Sequence, residues 1–196
     1  HSFSITENYV VIMFYPVVID PKRYPESNFH AFELFQDNKT DTTDTFVVNT
    51  KTGAVQGPIR SDWYYAAHHM NAYESSESEI ILDITPTPFD NMRTYLEMDN
   101  MMNPPADGTP EAEMSTTHGD EIARYKIDLK AESVTVSQFP NTLNSRFINT
   151  FDFPTINEAY RGKKYCYIYG VAAFAYSRTA LVKKNEQGRG LDEEPR

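Results

Sequence analysis

Short apolar runs, several of them alternating with polar residues, follow one another along the chain, and turn-forming residues separate them. A period of two is the signature of a strand with one face buried. Tyr9 to Ile19 is different. It is apolar at odd and even positions alike, which predicts a strand buried on both faces, and Pro21 and Pro25 then break the pattern. A short apolar run spans 29–35, and Asp37 to Asp44 reads as a polar loop. Thr45 to Asn49 reads as a strand ended by Lys51-Thr52-Gly53, a hairpin-turn signal, and Gly57-Pro58 punctuates again. An aromatic approach, Trp63 to Ala67, predicts a buried strand that ends in His68-His69, with a polar turn next and a strand over Glu79 to Ile84.

Helical spacing is confined to one place. Pro88 suits a first helical turn, and Phe89, Met92 and Leu96 with Tyr95, Met98 and Met102 recur along one face. Those methionines suit packing better than metal binding. Asn103 to Asp120 is rich in Pro, Gly, Thr and Glu and predicts a long loop, with His118 a surface histidine. Ala123, Tyr125, Ile127 and Leu129 alternate, a turn covers Lys130 to Ser133, and Val134 and Val136 complete a hairpin. A strand over 146–153 should stop at Pro154, and Tyr165, Tyr167 and Tyr169 should end a strand at Gly170. Residues 171–182 are again apolar, with a turn at Lys184 to Gly188 and a charged tail over 186–196. About ten short strands and one short helix make the chain mainly β. Stacked sheets follow, as in a sandwich or in propeller blades, and pattern alone does not choose between them.

Composition narrows the function. The 196 residues suffice for one domain with a real core. A net charge of -10 without a cluster of Lys and Arg excludes nucleic acid as a partner. Cys166 is the single cysteine, so no internal disulfide framework forms. The apolar run from Tyr9 to Ile19 is too short to span a membrane. No secretory signal pattern is visible, and the chain opens on His1 instead of methionine, which predicts a piece of something longer or a processed product. A histidine closing a buried strand, such as His68, is well placed to bind a metal.

Three stretches together resemble one family, the carotenoid cleavage oxygenases. His1-Ser2-Phe3-Ser4-Ile5-Thr6-Glu7-Asn8-Tyr9 is similar to the family's His-Ser/Asp-Phe-Gly-hydrophobic-Thr-Glu/Pro-Asn-Tyr segment, with Ser4 in place of glycine. His68-His69-Met70-Asn71-Ala72-Tyr73-Glu74 resembles the animal motif His-His-Ile-Asn-Ala/Thr-Tyr-Glu. Phe151-Asp152-Phe153-Pro154-Thr155-Ile156-Asn157, with Gly162-Lys163-Lys164-Tyr165 and Tyr167-Ile168-Tyr169-Gly170, is similar to the segment around Glu-Phe-Pro-x-Ile-Asn. The resemblance implies that residues 1–185 are part of a seven-bladed β-propeller, supplying several middle blades.

What the resemblance implies for chemistry is equally specific. The family's iron is held by four histidines, and the match carries that role onto His1 and His68. Imidazole suits Fe(II) and leaves positions open for dioxygen. His69 should point the other way along its strand and pack or hydrogen-bond. Asp152 stands where the family has a glutamate that accepts the other ring N–H of a ligand. Aspartate is shorter by one methylene, roughly 1.5 Å. His30 and His118 lie in unmatched segments, so the other two ligands fall outside this chain. The implied reaction is oxidative cleavage of a conjugated double bond in a carotenoid or apocarotenoid; a cytoplasmic location is expected, and peripheral contact with membranes is left open. Phe3, Tyr65 and Phe153 suit a tunnel lining, and core packing suits each of them better. A retinoid isomerohydrolase of the same family, or a non-catalytic binding module derived from a propeller, are the alternatives. Ser4, Asp152 and the incomplete ligand set favour the module.

Overall fold

The computed structural model describes residues 2–23, 35–37, 42–62, 65–66, 68–86, 122–139, 150–174 and 178–185. Their strands are β1 (Ser4–Ile5), β2 (Tyr9–Phe14), β3 (Val17–Ile19), β4 (Phe35–Asp37), β5 (Thr43–Asn49), β6 (Val55–Ser61) and β7 (His69–Ser76). Then follow β8 (Glu79–Ile84), β9 (Ile122–Asp128), β10 (Ser133–Phe139), β11 (Thr150–Thr155), β12 (Tyr167–Phe174) and β13 (Arg178–Asn185). Among the described residues the only helices are single 3-10 turns, Pro21–Arg23 and Glu158–Tyr160. The helix predicted over 88–102 and the loop carrying His118 lie outside the described residues, as do His1 and His30.

All pairings are antiparallel and form three main sheets. The first has the order β1-β2-β5-β6, the second β10-β9-β8-β7 and the third β11-β12-β13, with a small ribbon β3-β4. The second sheet is the middle layer. Val11, Met13, Val47 and Ile59 of the first sheet pack on Ala72, Ile80, Leu82, Ile84, Ala123, Tyr125 and Ile127. The opposite side carries Met70, Tyr73, Ile81 and Ile122 against Ile156, Tyr165 and Ile168 from the third-sheet segment. Strand β8 therefore serves two cores at once, its successive side chains pointing to opposite faces.

Several boundaries differ from the sequence reading. The stretch Tyr9–Ile19 is two strands, broken at Tyr15-Pro16, and it is not buried on both faces. Val11 and Met13 face the core, whereas Phe14, Val18 and Ile19 are 58%, 51% and 57% exposed. Apolar residues at both parities reveal stickiness on two faces but not what covers the second. Gly57-Pro58 does not end a strand but lies inside β6. The pairing with β5 shifts register between Thr45 and Val47, and a Cβ on Gly57 (φ +129) would stand 2.6 Å from the Thr45 carbonyl oxygen. Only glycine fits there. Pro154 likewise sits inside β11, at the register shift between Asp152 and Thr155, where its missing N–H is tolerated. Strand β12 runs through Gly170 to Phe174. The largest difference lies at the histidines, where His69 opens β7 and His68 directly precedes it instead of the pair closing a strand, and the turn waits until Glu77-Ser78.

Candidate functional site

Strand β7 is the seam at which the three motifs meet. Its pairing with β8 shifts register between His69 and Asn71. His68 turns toward the third sheet, its ring centroid 5.2 Å from that of Phe153 at an interplanar angle of 43°. Its carbonyl oxygen accepts from the Thr85 amide (3.2 Å) and the Thr85 hydroxyl (3.1 Å), which pins the backbone at this point. His69 turns toward the first sheet. Its Nδ1 lies 2.8 Å from Ser4 Oγ and its Nε2 lies 2.9 Å from the Tyr15 hydroxyl. The neighbours thus face opposite ways, as strand alternation implies. Burial pushes the His69 pKa down to about 4 and raises that of Tyr15, so the group is a neutral network at pH 7.

The remaining motif residues are structural clamps. Asn71 is buried and holds the turn before Tyr165. Its Nδ2 donates to the carbonyls of Tyr160 (3.2 Å) and Lys163 (3.0 Å), and its Oδ1 accepts from the Gly162 amide (3.0 Å). Gly162 has φ +75, which glycine adopts without strain. Tyr73 meets Tyr165 edge to face, with centroids 6.3 Å apart. Glu74 reaches the first motif. Its carboxylate accepts from Thr6 Oγ1 (2.6 Å), the Asn8 amide (2.8 Å) and Asn8 Nδ2 (2.8 Å). Burial alone would raise this carboxyl, yet the donors hold it below its ordinary value.

A buried ion pair lies behind the seam. Asp83, fully buried on β8, accepts from Arg124 Nε (2.8 Å) and Nη2 (2.9 Å) and from the Tyr165 hydroxyl (2.5 Å). Burial opposes the Arg124 charge, but Asp83 holds the guanidinium above its ordinary value. Burial and then the Asp83 charge push the Tyr165 hydroxyl well up, so it remains a donor. Sequence reading missed Asn71, Glu74 and Asp83 as clamps. A polar residue flanked by apolar ones in a strand, as Asp83 is between Leu82 and Ile84, was the available signal.

Of the candidate ligands, His68 is placed at the head of β7 and His1 lies outside the described residues. The backbone of Asp152 pairs with Val171, and its side chain is not described. The contact of His68 with Phe153 brings the second motif beside the residue that follows Asp152. Phe153 is 65% and Phe3 58% exposed, while Tyr65 stacks at 5.6 Å from Tyr15. Among the described residues no group of three or more His, Cys, Asp and Glu side chains could hold a metal. The donor chemistry agrees with iron in kind. One imidazole stands on a pinned backbone, and its neighbour is committed to Ser4 and Tyr15.

The family model for retinal pigment epithelial membrane protein, RPE65, matches residues 1–189. The chain belongs to the RPE65/carotenoid cleavage oxygenase family. Its similarity to curated members is low and extends along most of the chain. It is 23% identical over 191 residues to carotenoid 9,10(9',10')-cleavage dioxygenase 1 of Phaseolus vulgaris, covering 93% of this chain and 30% of that one. It is 26% identical over 187 residues to the chloroplastic carotenoid cleavage dioxygenase 8 of Arabidopsis thaliana, covering 88% and 30%. Among solved structures, cobalt-substituted ACO of Synechocystis superimposes with a TM-score of 0.66 at 20% identity, over 96% of this chain and 36% of that one. An ACO/RPE65 chimera gives 0.69 at 21%, over 97% and 37%. The stacked sheets are therefore part of the propeller fold of these enzymes. The chain spans about 30% of the length of the curated relatives it matches. Within this RPE65/carotenoid oxygenase frame, the seam around β7 is where the family's three motifs converge.

Proposed function

We propose that this chain is part of a non-haem iron(II) dioxygenase that cleaves a conjugated double bond of a carotenoid or apocarotenoid. The reading rests on family membership together with one structural observation. His69 is committed to Ser4 and Tyr15 through both ring nitrogens, which supports His68 over His69 as the ligand of the pair. His68 and His1 would hold iron, with further histidines supplied by parts of the protein beyond this chain. Bound iron supplies the redox chemistry that joins dioxygen to an alkene.

The work of the chain itself is placement. Thr85 fixes the His68 backbone, and Glu74 and Asn71 fix the strand that carries it. Asp152 would accept the free ring N–H of a ligand and so set its tautomer. The exposed ring of Phe153 gives the His68 surroundings an apolar flank suited to a polyene. Residues 1–185 would supply blades of a seven-bladed propeller and 186–196 a charged tail. The protein would be cytoplasmic and touch membranes peripherally to take up substrate. No helix among the described residues is long and apolar enough to cross one.

The test is metal analysis of the complete protein that carries this segment, with dioxygen uptake and cleaved product measured on an apocarotenoid. Near-stoichiometric iron and product formation are expected, both abolished by His68→Ala. An active, iron-replete His68→Ala protein would overturn the assignment.

A further inference from the structure

The first and second motifs lie on strands that share no backbone ladder. Among the described residues, strand β1 is two residues long and pairs only with β2, while β7 pairs with β8 in another sheet. Side chains must therefore set how the segment after His1 lies against the segment after His68. Two contacts do so. Glu74 grips Thr6 and Asn8 at the downstream end, and His69 grips Ser4 at the upstream end, three residues after His1. The far side of the His69 ring is anchored by the Tyr15 hydroxyl, one residue beyond β2.

We propose that Ser4, His69 and Tyr15 form a positioning brace that holds β1 against β7 beside His68 and keeps the His69 ring turned away from the metal position. The inference deepens the iron reading and rests on it. Ser4 gives it specificity, because the family pattern has glycine at this position and glycine offers no hydroxyl. A neutral imidazole carries one donor and one acceptor nitrogen, and both hydroxyls accept or donate. One arrangement has Tyr15 donating to Nε2 while Nδ1–H donates to Ser4. The reverse has Ser4 donating to Nδ1 while Nε2–H donates to Tyr15. Each fills both ring positions, so the ring is locked at two points and cannot rotate toward a metal.

The experiment uses the complete protein loaded with cobalt(II), whose visible absorption reports ligand geometry. Ser4→Ala and Tyr15→Phe each remove one arm with little change of volume, and His69→Gln keeps polarity while altering reach. We expect metal loss to a chelator to quicken about tenfold in each, the scale on which outer partners of metal ligands act. The cobalt bands should shift, while the unfolding midpoint of the metal-free Ser4→Ala protein stays near wild type. Wild-type rates and bands in Ser4→Ala and Tyr15→Phe would overturn the brace alone. A wild-type protein that takes up no cobalt or iron would overturn the iron reading, and the brace with it.

Discussion

The two faces of the central sheet solve the same packing problem differently. Toward the first sheet, β8 presents Ile80, Leu82 and Ile84, all fully buried among apolar neighbours. Toward the third sheet, the same strand presents Ile81 and then Asp83, which is neutralised by Arg124 and accepts a hydrogen bond from Tyr165. Along β8 the first face is held by non-directional burial, and its directional grips, Glu74 on Thr6 and Asn8 and His69 on Ser4, lie on the neighbouring β7. The second adds directional contacts that admit one alignment only. The candidate ligand His68 faces the directional side, beside Phe153. A site that needs placement to within a fraction of an ångström is better carried where directional contacts line the same strand.

The contrast is tested most severely at Asp83. Asp83→Ala takes the buried carboxylate away from the Arg124 guanidinium and the Tyr165 hydroxyl, and a loss of about 3–5 kcal/mol is expected in denaturant unfolding. Replacing Asp83, Arg124 and Tyr165 together by apolar residues of similar volume should cost less than that single change, because no charge is stranded. On the apolar face, Leu82→Ala should cost about 3 kcal/mol through lost transfer energy and a residual cavity, and His68 chemistry should survive in the folded fraction. If Leu82→Ala disturbs metal binding more than Asp83→Ala does, the division of labour between the faces is wrong.

Smaller effects sharpen the picture. Asn71→Ala removes three hydrogen bonds to the turn around Gly162, and about 2 kcal/mol should be lost, with faster amide exchange over 160–163. Glu74→Gln should cost about 1 kcal/mol, since the amide accepts fewer of the bonds from Thr6 and Asn8. Its pH dependence has a definite sign. The Glu74 carboxyl is held below its ordinary value when folded, so its stabilisation is full above the unfolded value. It is lost as pH falls through the lower, folded value. Wild type should therefore lose more stability than Glu74→Gln on acidification below about pH 4.3, measured by urea midpoints.

The hairpins were legible because their signals are local. Lys51-Thr52-Gly53 forms the turn between β5 and β6, with the Asn49 side chain accepting from the Lys51 and Thr52 amides at 3.0 Å. The β9–β10 hairpin and strand β8 fall where alternation put them. The family motifs were equally readable. The strand breaks were not, because Pro58, Pro154 and Gly170 break a ladder only where it needs their hydrogen or side chain. At the first two the pairing shifts register nearby.

By itself the sequence determined the mainly-β class, most strand centres and the three motifs, since each depends on neighbours a few residues apart. Alternation already implied that the two histidines face opposite ways, and tertiary structure alone decided which sheet each one meets and who clamps whom. Ser4 and His69 are separated by 65 positions, Thr6 and Glu74 by 68, and Asp83 and Tyr165 by 82. No local periodicity encodes such partners, because a polar side chain in a strand looks the same whether water or a distant residue will satisfy it.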